Sequence, residues 1–141
     1  MKNILETLED SGEFTTFLSL VESAGMEEQL SSEGPYTVFA PNDTAFRAVP
    51  AERIEEIRQD VNRLIDVVSY HVVPGVHSMI DLLGIAGLRS LQGGELAVAL
   101  SADAVLVNNV PIVESDAWCT NGICHAIYAL LLPPLVEATV A

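Results

Sequence analysis

Two cysteines, a histidine and an aspartate fall within "DAWCTNGICH", from Asp116 to His125. Those residue types could hold a metal, cycle electrons as a thiol pair, or staple a hairpin. A tetrahedral metal needs a third and a fourth ligand. Strand alternation turns His125 away from the cysteine face, and the chain holds no other cysteine. No metal site is expected. The C-x-x-C spacing of a redox motif is absent as well, because four residues separate Cys119 from Cys124. If Asn121-Gly122 makes a two-residue type I′ turn, Thr120 and Ile123 flank it. Cys119 and Cys124 then oppose each other on one face, within disulfide reach. Two readings stay open at this point: a hairpin disulfide or two buried thiols.

Other chemistry finds little support. There is no G-x-S-x-G elbow, no HExxH and no Walker loop. His77 and Ser78 are neighbours in sequence, which does not make a catalytic pair. The acids show no spacing that marks a glycosidase. "NDT" at Asn42 to Thr44 has the form of a glycosylation sequon but sits beside a buried strand. The expectation is a protein that is not an enzyme and needs no cofactor.

The elements that carry these residues come from a chain of 141 residues, half of them hydrophobic. That is the size of one domain with a real core. Twenty Asp and Glu against six Lys and Arg give a formal net charge of −14. Such a surface repels phosphate backbones and anionic lipid, so nucleic acid is excluded as a partner. No apolar run is long enough to span a bilayer, so membrane insertion is not expected. "MKNILETLED" lacks the apolar centre of a signal peptide.

"SGEFTTFLSLVESAG" places Phe14, Phe17, Leu18 and Val21 at helical spacing, with Ser11 as a cap and Gly25 as a stop. Tyr36 to Ala40 reads as a buried strand. Asn42 or Asp43 can cap a one-turn helix carrying Phe46. Pro50 opens a long helix whose apolar stripe runs Ile54, Ile57, Val61, Leu64, Ile65 and Val68. An extended "YHVVPG" and a short helix over Ile80 to Leu83 follow. From Leu88 onward the pattern is β. Two strands join at Gly93-Gly94, two more turn at Asn108-Asn109, and a last one ends at Pro133 and Pro134. Helices lead and strands follow, which predicts α+β.

Three stretches together resemble fasciclin domains. "TVFAPNDTAF" resembles their first signature, "YHVVPG" their tyrosine-histidine motif, and "NGICHAIYALLLPP" their second signature. The order and spacing match, and the likeness covers residues 1–141 as a single domain. It implies a wedge of two small bent β-sheets with helices packed around one side. It implies fold roles for Thr37, Phe39, Pro41 and Phe46 in the first signature, and for Asn121, Gly122 and His125 in the second. It implies an adhesion module that binds protein or glycan on a cell surface or matrix, outside the cell or in the periplasm, with weak self-association. Such an oxidising setting favours the disulfide between Cys119 and Cys124 over two thiols.

The resemblance also names contact residues. Tyr70 and His71 match the tyrosine-histidine motif, implicated in receptor binding, although the structural reading of His71 is preferred. Asp116 matches an aspartate in a loop that contributes to integrin binding in animal matrix members. Here that loop reads "ESDAW", so Trp118 must supply the apolar contact. The sequence departs from the pattern at Cys124, usually isoleucine, and at Tyr128, usually aspartate. The alternative function is a periplasmic domain binding a small molecule or polysaccharide.

Overall fold

Two strands are buried at every position, and they locate the centre of the molecule. They are β1 (Tyr36–Pro41) and β7 (Gly122–Ile127). They pair in parallel, from Tyr36 opposite Gly122 to Pro41 opposite Ile127. A parallel pair is stable when both faces are covered, which is why "YTVFAP" and "GICHAI" carry so little polar alternation. The structure is a computed structural model and describes residues 2–133, apart from Asp103.

β2 (Val72–Pro74) lies on the free side of β1, and β6 (Val110–Cys119) on the free side of β7. The ladder continues through β5 (Val105–Val107), β4 (Glu95–Leu100) and β3 (Gly87–Arg89). The sheet order is thus β2-β1-β7-β6-β5-β4-β3. β6 joins its two halves. Val110 and Pro111 pair with β5, while Ile112 to Cys119 pair with β7. This is the expected α+β architecture, with the two small sheets fused through one long bulged strand.

Helices cover one face. They are α1 (Ile4–Ser11), α2 (Thr15–Ser23), α3 (Glu27–Ser32), α4 (Asp43–Arg47), α5 (Ala51–Gln59) and α6 (Val61–Tyr70). Ile4, Leu8, Phe17, Leu20, Leu30 and Leu64 pack there against Val38, Ala40, Cys124 and Ala126. On the opposite face Phe39 and Ile127 meet Leu96, Val98, Val105 and Val107, with Leu82 from α7 (Met79–Leu82). Phe46 is buried with the helices.

Several boundaries depart from the sequence reading. Ser11 does not cap the second helix; it ends α1, which Gly12 closes at φ +73°. The cap of α2 comes from elsewhere. Asp43 accepts hydrogen bonds from the Thr16 N–H (3.0 Å) and the Thr15 hydroxyl (2.8 Å). Asn42 caps α4 as expected, accepting from the Ala45 N–H at 2.8 Å. The long helix is two helices. Asp60 is extended and its carboxylate accepts from the N–H groups of Asn62 and Arg63, starting α6 afresh. The break rotates Val61 and Ile65 out to solvent while Leu64 and Val68 stay buried. β7 ends at Ile127, well before Pro133, and Pro134 lies outside the described residues.

The hairpin tip is also corrected. The turn residues are Thr120 and Asn121, and Cys119 pairs with Gly122. Cys124 stands opposite Ala117, so the two cysteines are diagonal rather than facing. Both are free thiols, with sulfurs 3.8 Å apart. Asn121 explains the shift. Its side-chain oxygen accepts from the Ile4 N–H (2.9 Å), and its amide donates to the carbonyls of Leu30 and Glu33 (2.9 Å each). Its own carbonyl accepts from the Tyr36 N–H at 3.0 Å. A residue tying α1, α3 and β1 together is not free to adopt the local turn. Gly122 beside it sits at φ +151°, where a Cβ would run into the Tyr36 carbonyl oxygen.

Candidate functional site

β6 loses register against β7 between Glu114 and Ala117. Within that bulge Asp116 adopts φ +61°, a left-handed conformation that aspartate tolerates better than most residues. It is therefore a strand bulge and not the loop turn expected from sequence. Its backbone N–H donates to His125 Nδ1 at 3.2 Å. Its Oδ1 accepts from the Met79 N–H at 2.8 Å, at the first residue of α7. His125 Nε2 donates to the His77 carbonyl at 2.8 Å.

The same segment is held from β1. The Thr37 hydroxyl donates to the Gly75 carbonyl and accepts from the His77 N–H, both at 2.8 Å. Thr37 and His125 thus fasten the segment from Gly75 to Ser78 onto the two central strands. That segment and Asp116 in turn set the start of α7. His125 is fully buried and stacks on Phe39, with ring centroids 5.5 Å apart. Burial holds its pKa below the usual histidine range, partly offset by the His77 carbonyl and the Asp116 carboxylate. Both ring nitrogens are occupied, so His125 has no lone pair for a metal.

Several apolar side chains on β6 and α7 are open to solvent. Trp118 is 54 % exposed, and Ala117 beside it is exposed. Ile80 on α7 is 78 % exposed and Leu83 just after it is 52 % exposed. Asp116 is half-buried and reaches α7 through Met79, and the open indole of Trp118 lies two residues further along the same strand. Ile80, Leu83 and the fastening segment were not singled out from sequence. "SMIDLL" looks like any short helix, and only the bond from Met79 to Asp116 brings it beside the bulge.

Tyr70 and His71 belong elsewhere. Tyr70 is 3 % exposed; its hydroxyl donates to the Glu95 carbonyl (3.1 Å) and accepts from Asn108 Nδ2 (2.9 Å). It pins the end of α6 to β4 and to the turn before β6. His71 is fully buried. Its Nδ1 donates to the Val67 carbonyl at 2.7 Å, and its Nε2 accepts from the Leu131 N–H at 3.0 Å. Burial pushes its pKa down to about 4. Neither side chain reaches the surface, so neither is a direct contact residue here. The cause is their full set of internal partners.

The sequence profile of the Fasciclin domain matches residues 12–133. The chain belongs to the fasciclin domain family. Fasciclin domains are adhesion modules without enzymatic activity. The chain is 34 % identical over 134 residues to the transforming growth factor-beta-induced protein ig-h3 of Sus scrofa, covering 95 % of this chain and 20 % of that protein. It is 35 % identical over 101 residues to the cell surface glycolipoprotein MPB83 of Mycobacterium bovis, covering 72 % of this chain and 45 % of that protein. This fasciclin domain therefore spans about a fifth of the first relative and under half of the second. The fold is similar to a FAS1 domain pair from the insect cell adhesion molecule fasciclin I. The TM-score there is 0.81 at 18 % identity, over 94 % of this chain and 51 % of that one. Among the described residues of this fasciclin domain, no helix is long and apolar enough to cross a membrane.

Proposed function

We propose that residues 1–141 act as one adhesion module, with the ridge of Asp116, Trp118 and α7 as its contact surface. The partner is a protein or glycan on a cell surface or matrix, met outside the cell or in the periplasm. The observation that carries this reading is the exposure of Trp118. A large aromatic left open two residues along the strand from Asp116, which itself holds the start of α7, is the composition of an interface anchor. The buried bonds beneath it keep the ridge rigid, which lowers the ordering cost of binding.

The small-molecule alternative draws less support. A depression of about 520 Å³ between α2, α4 and α5 is open. Its Asp43 is already hydrogen-bonded to Thr15 and Thr16. Ligand sites instead tend to be enclosed, with free polar groups converging.

Trp118→Ala should melt within about 0.5 kcal/mol of the parent protein, because the indole is exposed. Beads coated with it should lose at least roughly tenfold in attachment to cells or matrix, the scale of a hot-spot residue. Undiminished attachment by the folded variant would move the contact surface away from this ridge.

A further inference from the structure

The two cysteines have no part in the adhesive ridge, yet their sulfurs meet. Cys119 and Cys124 are both buried, on the helical side of the sheet. Diagonal neighbours across a hairpin usually stand about 7–8 Å apart at Cα, at the edge of disulfide reach. Here the side chains lean together until the sulfurs are 3.8 Å apart. Cys119 also contacts the Thr7 hydroxyl of α1 and the Ala117 carbonyl, each at 3.4 Å. Cys124 forms one wall of a cavity of about 130 Å³ between α1 and the bulged stretch of β6, alongside Thr7, Ser11 and Ser115. The bulge that holds Asp116 thus also lines a small space against Cys124.

We propose that Cys119 and Cys124 are a reversible dithiol–disulfide couple, oxidised by a small hydroperoxide, that braces the hairpin carrying Asp116 and Trp118. The Cys119 thiolate attacks the peroxide oxygen, the O–O bond breaks, and the alcohol or water leaves with one proton. Cys119 is then a sulfenic acid. The Cys124 sulfur attacks the Cys119 sulfur, the S–O bond breaks, and hydroxide leaves as water with the Cys124 proton. Two thiols and one peroxide give one disulfide, one alcohol or water, and one water. Two electrons pass from sulfur to oxygen.

Three features support this order of events. A hydrogen bond from Cys124 to the Cys119 thiolate pulls Cys119 down to about 7, whereas the same bond and burial push Cys124 up. The cavity is small, about 130 Å³, and ends at Cys124, whose sulfur is 3.8 Å from that of Cys119. The diagonal placement makes a closed bridge strained and readily reduced, which suits a cycling bond over a permanent staple. Closure also turns the Cys119 sulfur toward Cys124 and away from its 3.4 Å contact with Thr7 of α1.

The test uses reduced protein and hydrogen peroxide as the probe, near pH 7.5, followed by alkylation and mass spectrometry. The folded protein should become two hydrogens lighter, take up no alkylating agent, and recover both thiols with dithiothreitol. In the untreated protein, Cys119 should be alkylated about tenfold or more faster than Cys124. Cys124→Ser should trap a sulfenic acid on Cys119 with dimedone, and Cys119→Ser should trap none on Cys124. Two alkylatable thiols after peroxide treatment would overturn the proposal. So would a bridge that forms only in urea, or equal trapping in the two variants. The alkylation order is read on the unmodified chain, so it stands even if a serine variant fails to fold.

Discussion

His71 and His125 are both fully buried, and each bridges two backbone groups, but they hold opposite tautomers. His71 carries its proton on Nδ1, toward Val67, and accepts from Leu131 at Nε2. His125 carries its proton on Nε2, toward His77, and accepts from Asp116 at Nδ1. In either ring a second proton would face a backbone N–H, donor against donor. The difference lies in the partners. His71 joins the end of α6 to the segment after β7, entirely inside. His125 joins the interior to Asp116, whose side chain is 35 % exposed. One histidine is insulated, and the other supports the candidate surface from below. A motif histidine can thus serve a binding face without touching a partner.

Removing the insulated histidine should have the largest effect. His71→Ala strands the Leu131 N–H and opens a cavity beside Phe17, whose ring lies edge-on at 5.7 Å. The expected loss is about 3–5 kcal/mol in urea unfolding. A loss below about 1 kcal/mol would show that the interior repacks and that the two histidines differ less than their contacts suggest.

Acid sharpens the same comparison. Burial holds the folded pKa of His71 at about 4, below the ordinary histidine value of 6.5. The unfolded chain therefore binds the proton first. This contribution is complete above about pH 6.5 and falls away as pH drops toward 4. It amounts to roughly 3 kcal/mol in full, with about 2 kcal/mol gone by pH 5. His125 shifts in the same direction. Unfolding midpoints at pH 7.5 and pH 5 should converge in His71→Gln relative to the parent. An unchanged pH dependence in that variant would assign the acid loss to other groups.

After these two, Asp116 gives a smaller change in stability and a more specific one. Asp116→Ala removes the acceptor for Met79 and leaves alanine at φ +61°, costing about 1–2 kcal/mol. Asp116→Asn keeps an acceptor and a residue that tolerates left-handed backbone, so its melting should stay within about 0.5 kcal/mol. If the charge meets a partner, the asparagine variant loses bead attachment while melting normally. Full attachment would confine Asp116 to holding α7.

Much of this architecture was legible because it is local. The buried strand from Tyr36, the Asn42 cap and the turn at Asn108-Asn109 all follow from a few adjacent residues. Both asparagines of that turn do have positive φ. The misreadings involve distant partners. Asp43 caps a helix that precedes it by a wide stretch of chain, and Asp60 restarts a helix within an unbroken apolar stripe. Asn121-Gly122 has the strongest local hairpin signal, but bonds to α1, α3 and β1 move the register by two positions. A slip of two preserves the side-chain faces, so the cysteines still share one and His125 the other. The candidate site was half legible. Asp116 and Trp118 read as site residues; the short helix over Ile80 to Leu83 is expected, but not at the site, because its place beside the bulge is set by tertiary contacts.

The parallel pairing of β1 with β7 has a consequence for how a nascent chain matures. β1 emerges from the ribosome well before β7, the strand that covers its open edge. Until then its main strand partner is β2, which is only three residues long. An apolar strand with one unpaired edge is a template for association with other unfinished chains. Closure by the late strand also brings together residues far apart in sequence, which slows folding. Closure of the central pair therefore waits for β7, and a translational pause before Gly122 would prolong the interval when this fold most needs a chaperone.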